Sequence, residues 1–263
     1  MQILYASEPT PGRVNEDFVI TGPSWAVLLD GASAPAGVDS GCIHDVPWFV
    51  HHLGTELAGR LTLSPQEPLD DALAGAITET GRLHEHTCDL SNPDSPSATV
   101  VAVRERNGRL DYLTLADSPL VVDADGEVRA ITDDRTEHLR DYSQEGIRAA
   151  RNSPDGFYVA SALPEAAYKA IRGSLQAASV RRTALLSDGA ARLVERFAVV
   201  DWRQLVDLLA TQGPHELLRR TRDAERAETD SERASRRGKR HDDATAVFIT
   251  SLADPRDRNT DPC

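Results

Sequence analysis

The chain has 263 residues, 40% of them hydrophobic, enough to bury a substantial core in one large domain or two small ones. Its formal net charge is −13, from 42 acidic against 29 basic residues, which works against broad contact with nucleic acid or an anionic membrane surface. No apolar run approaches about 18 residues, the N-terminal residues lack the basic-then-apolar order of a signal peptide, and Cys42, Cys88 and Cys263 form a sparse, odd set; a soluble cytoplasmic protein is expected.

In chain order, residues 2–5 read as a short strand, followed by a Pro/Gly turn and an extended segment over 15–20. The compact apolar run 25–29 reads as a buried strand that stops at Asp30-Gly31. Two helices are expected over 47–61 and 68–90, the second with Leu69, Leu73, Ala76, Ile77 and Leu83 at helical spacing. Residues 97–103 and 110–115 flank Asn107-Gly108 and predict a hairpin; 119–122 and 128–132, around Asp125-Gly126, extend it as a meander. Residues 133–175 are polar and weakly patterned, and read as a partly helical surface insertion or flap where substrate contacts fall. A strand over 180–187 ends at Asp188-Gly189, helices follow near 190–196, 202–211 and 215–228, and 244–250 closes as a strand. The expected organisation is one domain over 1–252 and a flexible tail over 253–263. Strands joined by tight turns and mixed with helix pairs favour an α+β fold with antiparallel sheets.

Acidic clusters stand at the strand edges: Asn15-Glu16-Asp17, Asp30-Gly31, Ala116-Asp117-Ser118, Ser187-Asp188-Gly189 and Asp242-Asp243. Any one of them reads as an ordinary turn. Gathered by folding, they would repel: two like charges about 4 Å apart cost about 4 kcal/mol at an effective dielectric near 20. Divalent cations remove that cost, and hard oxygen ligands select Mg²⁺ or Mn²⁺ over zinc.

The order Asn-Glu-Asp, Asp-Gly, Ser-Ala-Thr, Ala-Asp-Ser, Ser-Asp-Gly, Asp-Asp-Ala-Thr over residues 13–249 resembles the motif series of the PPM (PP2C-type) protein phosphatases. The resemblance implies a PP2C-like sandwich of two antiparallel β-sheets flanked by helices. It further implies Mg²⁺- or Mn²⁺-dependent hydrolysis of phosphoserine and phosphothreonine in proteins, with a water bridging two metal ions as nucleophile. By position, Asp30 resembles the carboxylate bridging both ions, Gly31 the residue lending its carbonyl, and Asp188 and Asp242 the ligands of the other ion. Glu16 and Asp17 match acids that act through metal-bound water, Asp117 an aspartate associated with a weaker third ion, and Arg13 the phosphate-binding arginine. Asp243 takes the place of the family's Asn and is assigned no metal. Two alternatives stand beside this: a phosphatase of a small phosphorylated metabolite, and a PP2C-like regulatory domain that binds a partner without hydrolysis. The oligomeric state is left open.

Three positions depart from the family pattern. Ala32-Ser33 stands where some members carry a general-acid histidine, Arg13 lies three rather than four residues before Glu16, and Ala116 replaces a glycine, which asks that the backbone there avoid positive φ. Cys42, His44, His84, His86 and Cys88 suggest a soft-metal site, with His84 and Cys88 four apart on one helix face, but their spacing matches no standard zinc pattern, and the favoured reading is buried cysteines and ordinary helix histidines. Residues 219–240, with nine basic and five acidic side chains, read as a solvated helix end and loop, with a cationic rim for a phosphoryl group as the functional alternative. Ser97 and Thr99 read as structural.

Overall fold

Strand β3 (Trp25–Ala32) is buried on both faces as far as Leu29, which is why its sequence is a continuous apolar run rather than an alternating one. It lies inside a five-stranded sheet of order β2-β3-β4-β5-β8, built from β2 (Phe18–Thr21), β4 (Ser97–Arg106), β5 (Arg109–Leu115) and β8 (Ile171–Gln176). A second sheet, β1-β10-β9-β6-β7, comprises β1 (Gln2–Glu8), β10 (Ala244–Thr250), β9 (Val180–Leu186), β6 (Leu120–Ala124) and β7 (Glu127–Ile131). Every strand pairing in both sheets is antiparallel. The computed structural model describes residues 1–250 apart from 36, 235, 237 and 238, so the tail expected over 253–263 lies outside the described residues.

The period of two along each strand divides the apolar side chains between three layers of core. Ala26, Leu28, Val101, Val103, Leu120, Val122, Leu185 and Val247 fill the space between the sheets. Val27, Leu29, Val100 and Ala102 face outward against α1 (Val46–Leu63) and α2 (Leu69–His84). On the opposite side Ala184, Leu186, Ala246 and Phe248 pack against α4 (Asp188–Glu195), α5 (Trp202–Gln212) and α6 (Pro214–Ala227). The result is a helix-sheet-sheet-helix sandwich, as the resemblance implied. Two short helices, α3 (Gln144–Ala150) and α7 (Asp230–Ala234), lie on its periphery.

Four expectations are corrected. The expected meander does not form: β5 pairs with β8, while the β6–β7 hairpin joins the other sheet beside β9. The chain changes sheets at Ala116, whose φ of +65° supplies the turn, contrary to the expectation that this residue avoids positive φ. Helix α2 ends at His84 rather than 90: the Thr87 N–H closes a tighter turn on the His84 carbonyl at 3.0 Å, and the Asp89 N–H then bonds the Gly41 carbonyl at 2.8 Å. Residues 133–175 are also more than a surface insertion. Ala160 exchanges backbone hydrogen bonds with Ala98, Tyr158, Val159, Ala166 and Ala167 are buried, and 171–175 belong to β8. Residues 134–155 do lie largely at the surface.

Candidate active site

The strand registers gather the acidic clusters. Glu8 at the end of β1 stands opposite Ala244 at the start of β10, and Leu186 at the end of β9 is opposite Ala246. In the other sheet Phe18 at the start of β2 pairs with Leu29, and Asp30 pairs with Thr99 near the start of β4. The end of β1, the start of β2, the end of β3, the end of β9 and the start of β10 therefore meet at one end of the sandwich, and they carry Arg13, Glu16, Asp17, Asp30, Asp188 and Asp242. Asp117 follows the end of β5, and its charge also reaches Asp30 and Asp188.

Close backbone approach makes the gathering tight. The Asp188 N–H donates to Asp30 Oδ2 at 3.3 Å, and the Gly31 N–H donates to the Glu16 carbonyl at 3.2 Å. A Cβ on Gly31 would lie 2.5 Å from that carbonyl oxygen, and one on Gly189 would lie 1.9 Å from the Asp243 carbonyl oxygen. Neither position accepts a side chain without moving the neighbouring acidic segment. Asp243 itself accepts from Thr10 N and Glu16 N, both at 2.6 Å, so it fastens the Glu16 loop to β10. Asn15 caps the same turn through the Asp17 N–H at 3.1 Å, and Ser33 Oγ donates to Glu16 Oε1.

The carboxylates pay for this crowding in protonation. Burial first, then the charges of Asp17, Asp188, Asp242 and Asp117, hold Asp30 well above the usual carboxylate range. Asp17 is pushed up to about 7, by burial and then by Asp243 and Asp242, against the easing effect of the Thr245 and Ser187 hydroxyls. Both Asp17 oxygens are nonetheless buried without a hydrogen-bond partner. Asp188 is pushed up to about 8 by desolvation, Asp242 and Asp117, with Arg192 opposing. Its side chain still meets solvent, which moderates both the lost hydration and the neighbouring charges. Asp117 is also raised, chiefly by burial, and accepts from Thr136 Oγ1 at 3.2 Å.

This donor set fits hard divalent cations. It is all oxygen, its members destabilise one another's charge, and the buried Asp17 oxygens have the Thr245 and Ser187 hydroxyls nearby but no hydrogen bond of full geometry. Among the described residues the one group whose ligand atoms all lie within 4.8 Å of one another is elsewhere, so the carboxylates stand wider than the shell of a single ion.

Several participants carry no motif. Arg192 on α4 meets Asp242 Oδ2 at 3.1 Å and the fully buried Glu225 at 2.7 Å, and Lys239 meets Asp242 Oδ1 at 3.1 Å. Arg222 donates to the Asp242 carbonyl at 2.7 Å and pairs with Glu225. Asp133 accepts from the Ala116 N–H at 3.3 Å and from Arg135, propping the left-handed turn before Asp117. Arg13 is exposed, with no side-chain partner among the described residues and none of the acids as a neighbour in close contact. The basic segment is mostly neutralised locally: Arg219 pairs with Glu216 and Asp223, and Arg236 with Glu228. Ser97 and Thr99 are structural, bonded to Arg151 and Ser118.

The sequence comparison decides the family. A family model described as protein phosphatase 2C matches residues 11–250. The chain belongs to that family. Comparison with curated proteins finds no match. Among solved structures, the Mycobacterium tuberculosis serine/threonine phosphatase PstP/Ppp is 19% identical, with 94% of this chain and 97% of that one covered and a TM-score of 0.60. Serine/threonine phosphatase Stp1 from Staphylococcus aureus is 15% identical, with 96% and 95% covered and a TM-score of 0.62. The catalytic domain of PstP in complex with two manganese ions is 20% identical, with 94% and 96% covered and a TM-score of 0.56. At such identities these likenesses speak to the protein phosphatase 2C fold, and the two five-stranded sheets agree with it.

Proposed function

We propose that this chain is a divalent-metal-dependent phosphoester hydrolase acting on phosphoserine and phosphothreonine in proteins. The observation that carries the reading is the convergence of Asp30, Asp188, Asp242 and the partnerless buried Asp17 at one end of the sandwich. Asp30, the Gly31 carbonyl, Asp188 and Asp242 would hold two Mg²⁺ or Mn²⁺ ions, Glu16 and Asp17 would orient water beside them, and Asp117 would serve a weaker third ion. Such ions, when bound, lower the pKa of water and offset the negative charge of phosphate oxygens.

The chain's own residues do the rest. Asp243 and Asn15 fix the Glu16–Asp17 turn, so both acids are positioned before substrate arrives. Arg13 is an uncommitted cation on the same loop and is the proposed phosphate contact. Asp117, Thr136, Glu137, Leu139, Tyr142 and Ile147 line a groove between the site and residues 133–150. The groove is the proposed place for the residues that flank the phosphorylated side chain.

The test is hydrolysis of a phosphopeptide panel, a metabolite panel and a chromogenic phosphate ester by the full chain. Activity is expected on phosphopeptides, to vanish with chelator and to return with Mn²⁺. Asp30→Asn and Asp188→Asn should each lower turnover at least about 100-fold with the fold retained. Wild-type turnover in either variant would refute the site. A second reading, a domain that binds a partner without hydrolysis, is favoured by the commitment of Asp242 to Arg192 and Lys239. Calorimetric binding of Mn²⁺ with no turnover on any substrate would support it.

A further inference from the structure

Outside the carboxylate site, four side chains from two separate segments converge on one point. Cys42 and His44 lie in the loop between β3 and α1, and His84 and Cys88 lie at the end of α2 and in the turn beyond it. Their ligand atoms all lie within 4.8 Å of one another. We propose that Cys42, His44, His84 and Cys88 form a structural Zn²⁺ site that staples the β3–α1 loop to the end of α2.

The geometry matches the ion. With Zn–S near 2.3 Å and Zn–N near 2.0–2.1 Å, a tetrahedral site has S···N edges of about 3.5 Å. Here Cys42 Sγ stands 3.7 Å from His44 Nδ1 and 3.5 Å from His84 Nδ1, and Cys88 Sγ stands 3.4 Å from His44 Nδ1. The two sulfurs are 2.8 Å apart, and a bound ion would spread them by about 1 Å, to the S···S edge of such a tetrahedron. Neither adjacency in sequence nor a shared helix forces this meeting: Cys42 and Cys88 are 46 positions apart.

The surroundings hold the ligands in place. The Gly41 carbonyl accepts from Asp89 N at 2.8 Å, and the Asp39 carbonyl accepts from Asn92 Nδ2 at 2.9 Å, so the backbone on both sides is already clamped. The Trp48 ring stacks on His44 at 3.9 Å between centroids and lies 5.2 Å from His84, orienting both imidazoles. His84 is buried, which keeps one wall of the site dry. Two thiols and two imidazoles select a soft, tetrahedral d¹⁰ ion, whereas the all-oxygen carboxylate site selects Mg²⁺ or Mn²⁺. The two sites thus sort different metals without competing. The spacing Cys-x-His with His-x₃-Cys follows no familiar zinc pattern, which is why the sequence alone ranks a metal site here below a structural role.

The stapled loop begins just after Ser33, whose hydroxyl donates to Glu16, so the ion would also steady one wall of the carboxylate site. The inference stands apart from the phosphatase reading, since zinc content is measured without substrate. The full chain, purified under reducing conditions and dialysed against excess Mg²⁺ without zinc, should retain one zinc per chain. Replacement by Co²⁺ should give the intense visible absorption and thiolate charge-transfer band of a tetrahedral sulfur-ligated site. Cys42→Ser and Cys88→Ser should abolish both signals, His84→Asn should weaken affinity at least about 10-fold, and Asp30→Asn should leave both signals unchanged. A wild-type chain that holds no zinc and shows no thiolate-to-cobalt band would overturn the proposal. So would a Cys42–Cys88 disulfide in protein kept reduced throughout.

Discussion

Asp30 carries the conflict between stability and chemistry in this molecule. Its carboxylate is surrounded by Asp17, Asp188, Asp242 and Asp117, and in metal-free protein that repulsion works against the folded state. Asp30→Asn removes the charge and keeps an oxygen that can accept the Asp188 N–H. The variant should therefore melt higher than wild type in chelator, by about 1–2 kcal/mol or several degrees in differential scanning fluorimetry, while losing hydrolysis. A lower melting temperature would mean that the carboxylate is structurally required and the crowding harmless. Gly189→Ala should do the reverse. Its Cβ would fall 1.9 Å from the Asp243 carbonyl oxygen, so the backbone beside Asp242 must shift, with about 2–3 kcal/mol lost in chemical denaturation and weaker Mn²⁺ binding by calorimetry. Residues such as Asp30, Asp188 and Asp242 were legible in the sequence because each stands at the edge of an apolar run, next to glycine or a second acid. Arg192 and Asp133 were not, because their roles arise from contacts distant in sequence: Arg192 meets Asp242 across 50 positions and Asp133 meets Ala116 across 17. The Cys/His group was visible as a candidate, but its spacing argued against zinc, and only the fold brings Cys42 and His44 to His84 and Cys88.

Among the elements, the hairpins were the most legible part of the fold. Asn107 and Gly108 both take positive φ, as do Asp125 and Gly126, and two-residue turns of that kind match the twist of the strands they join. Which hairpin belongs to which sheet could not be read in the same way, since β4, β5 and β6 share one apolar vocabulary and are each buried over much of their length. The deciding feature is the left-handed Ala116, where no glycine advertises the turn. An alanine there costs about 1 kcal/mol of backbone strain, and its buried methyl, packed beside Phe157 and Val159, returns about 0.8 kcal/mol. Ala116→Gly should consequently change stability by less than about 1 kcal/mol in urea unfolding. Ala116→Val, which adds a branched Cβ at positive φ in a buried turn, should lose more than about 2 kcal/mol. If both variants behaved alike, backbone conformation would not be what places β6 in the second sheet.

For the whole molecule the governing quantity is charge: −13 overall, with its most crowded carboxylates drawn to one end. Asp17 titrates at about 7 and Asp188 at about 8 in the folded chain, and Asp30 is raised as well, against an ordinary aspartate value of 3.8. A folded-state pKa above the unfolded value means that the native chain binds more protons through that interval. The stability these groups contribute is fully present below about pH 4 and is lost as pH rises through about 8. Carboxylates held down by arginine or hydroxyl partners, Glu216 and Asp111 among them, act oppositely and weaken the fold only in acid. Metal-free protein should therefore melt higher at about pH 5.5 than at about pH 8.5. Divalent ions replace the protons as counter-charge and bind better as protons leave, so saturating Mn²⁺ should shrink or invert that difference. An ion present at a hundred times its Kd adds about 2.7 kcal/mol. Thermal unfolding in chelator and in Mn²⁺ at both pH values makes the comparison in one experiment. A chelated protein that grows more stable with rising pH would show that the acids at the sandwich end do not feel one another, and the case for a cation site among them would fail with it.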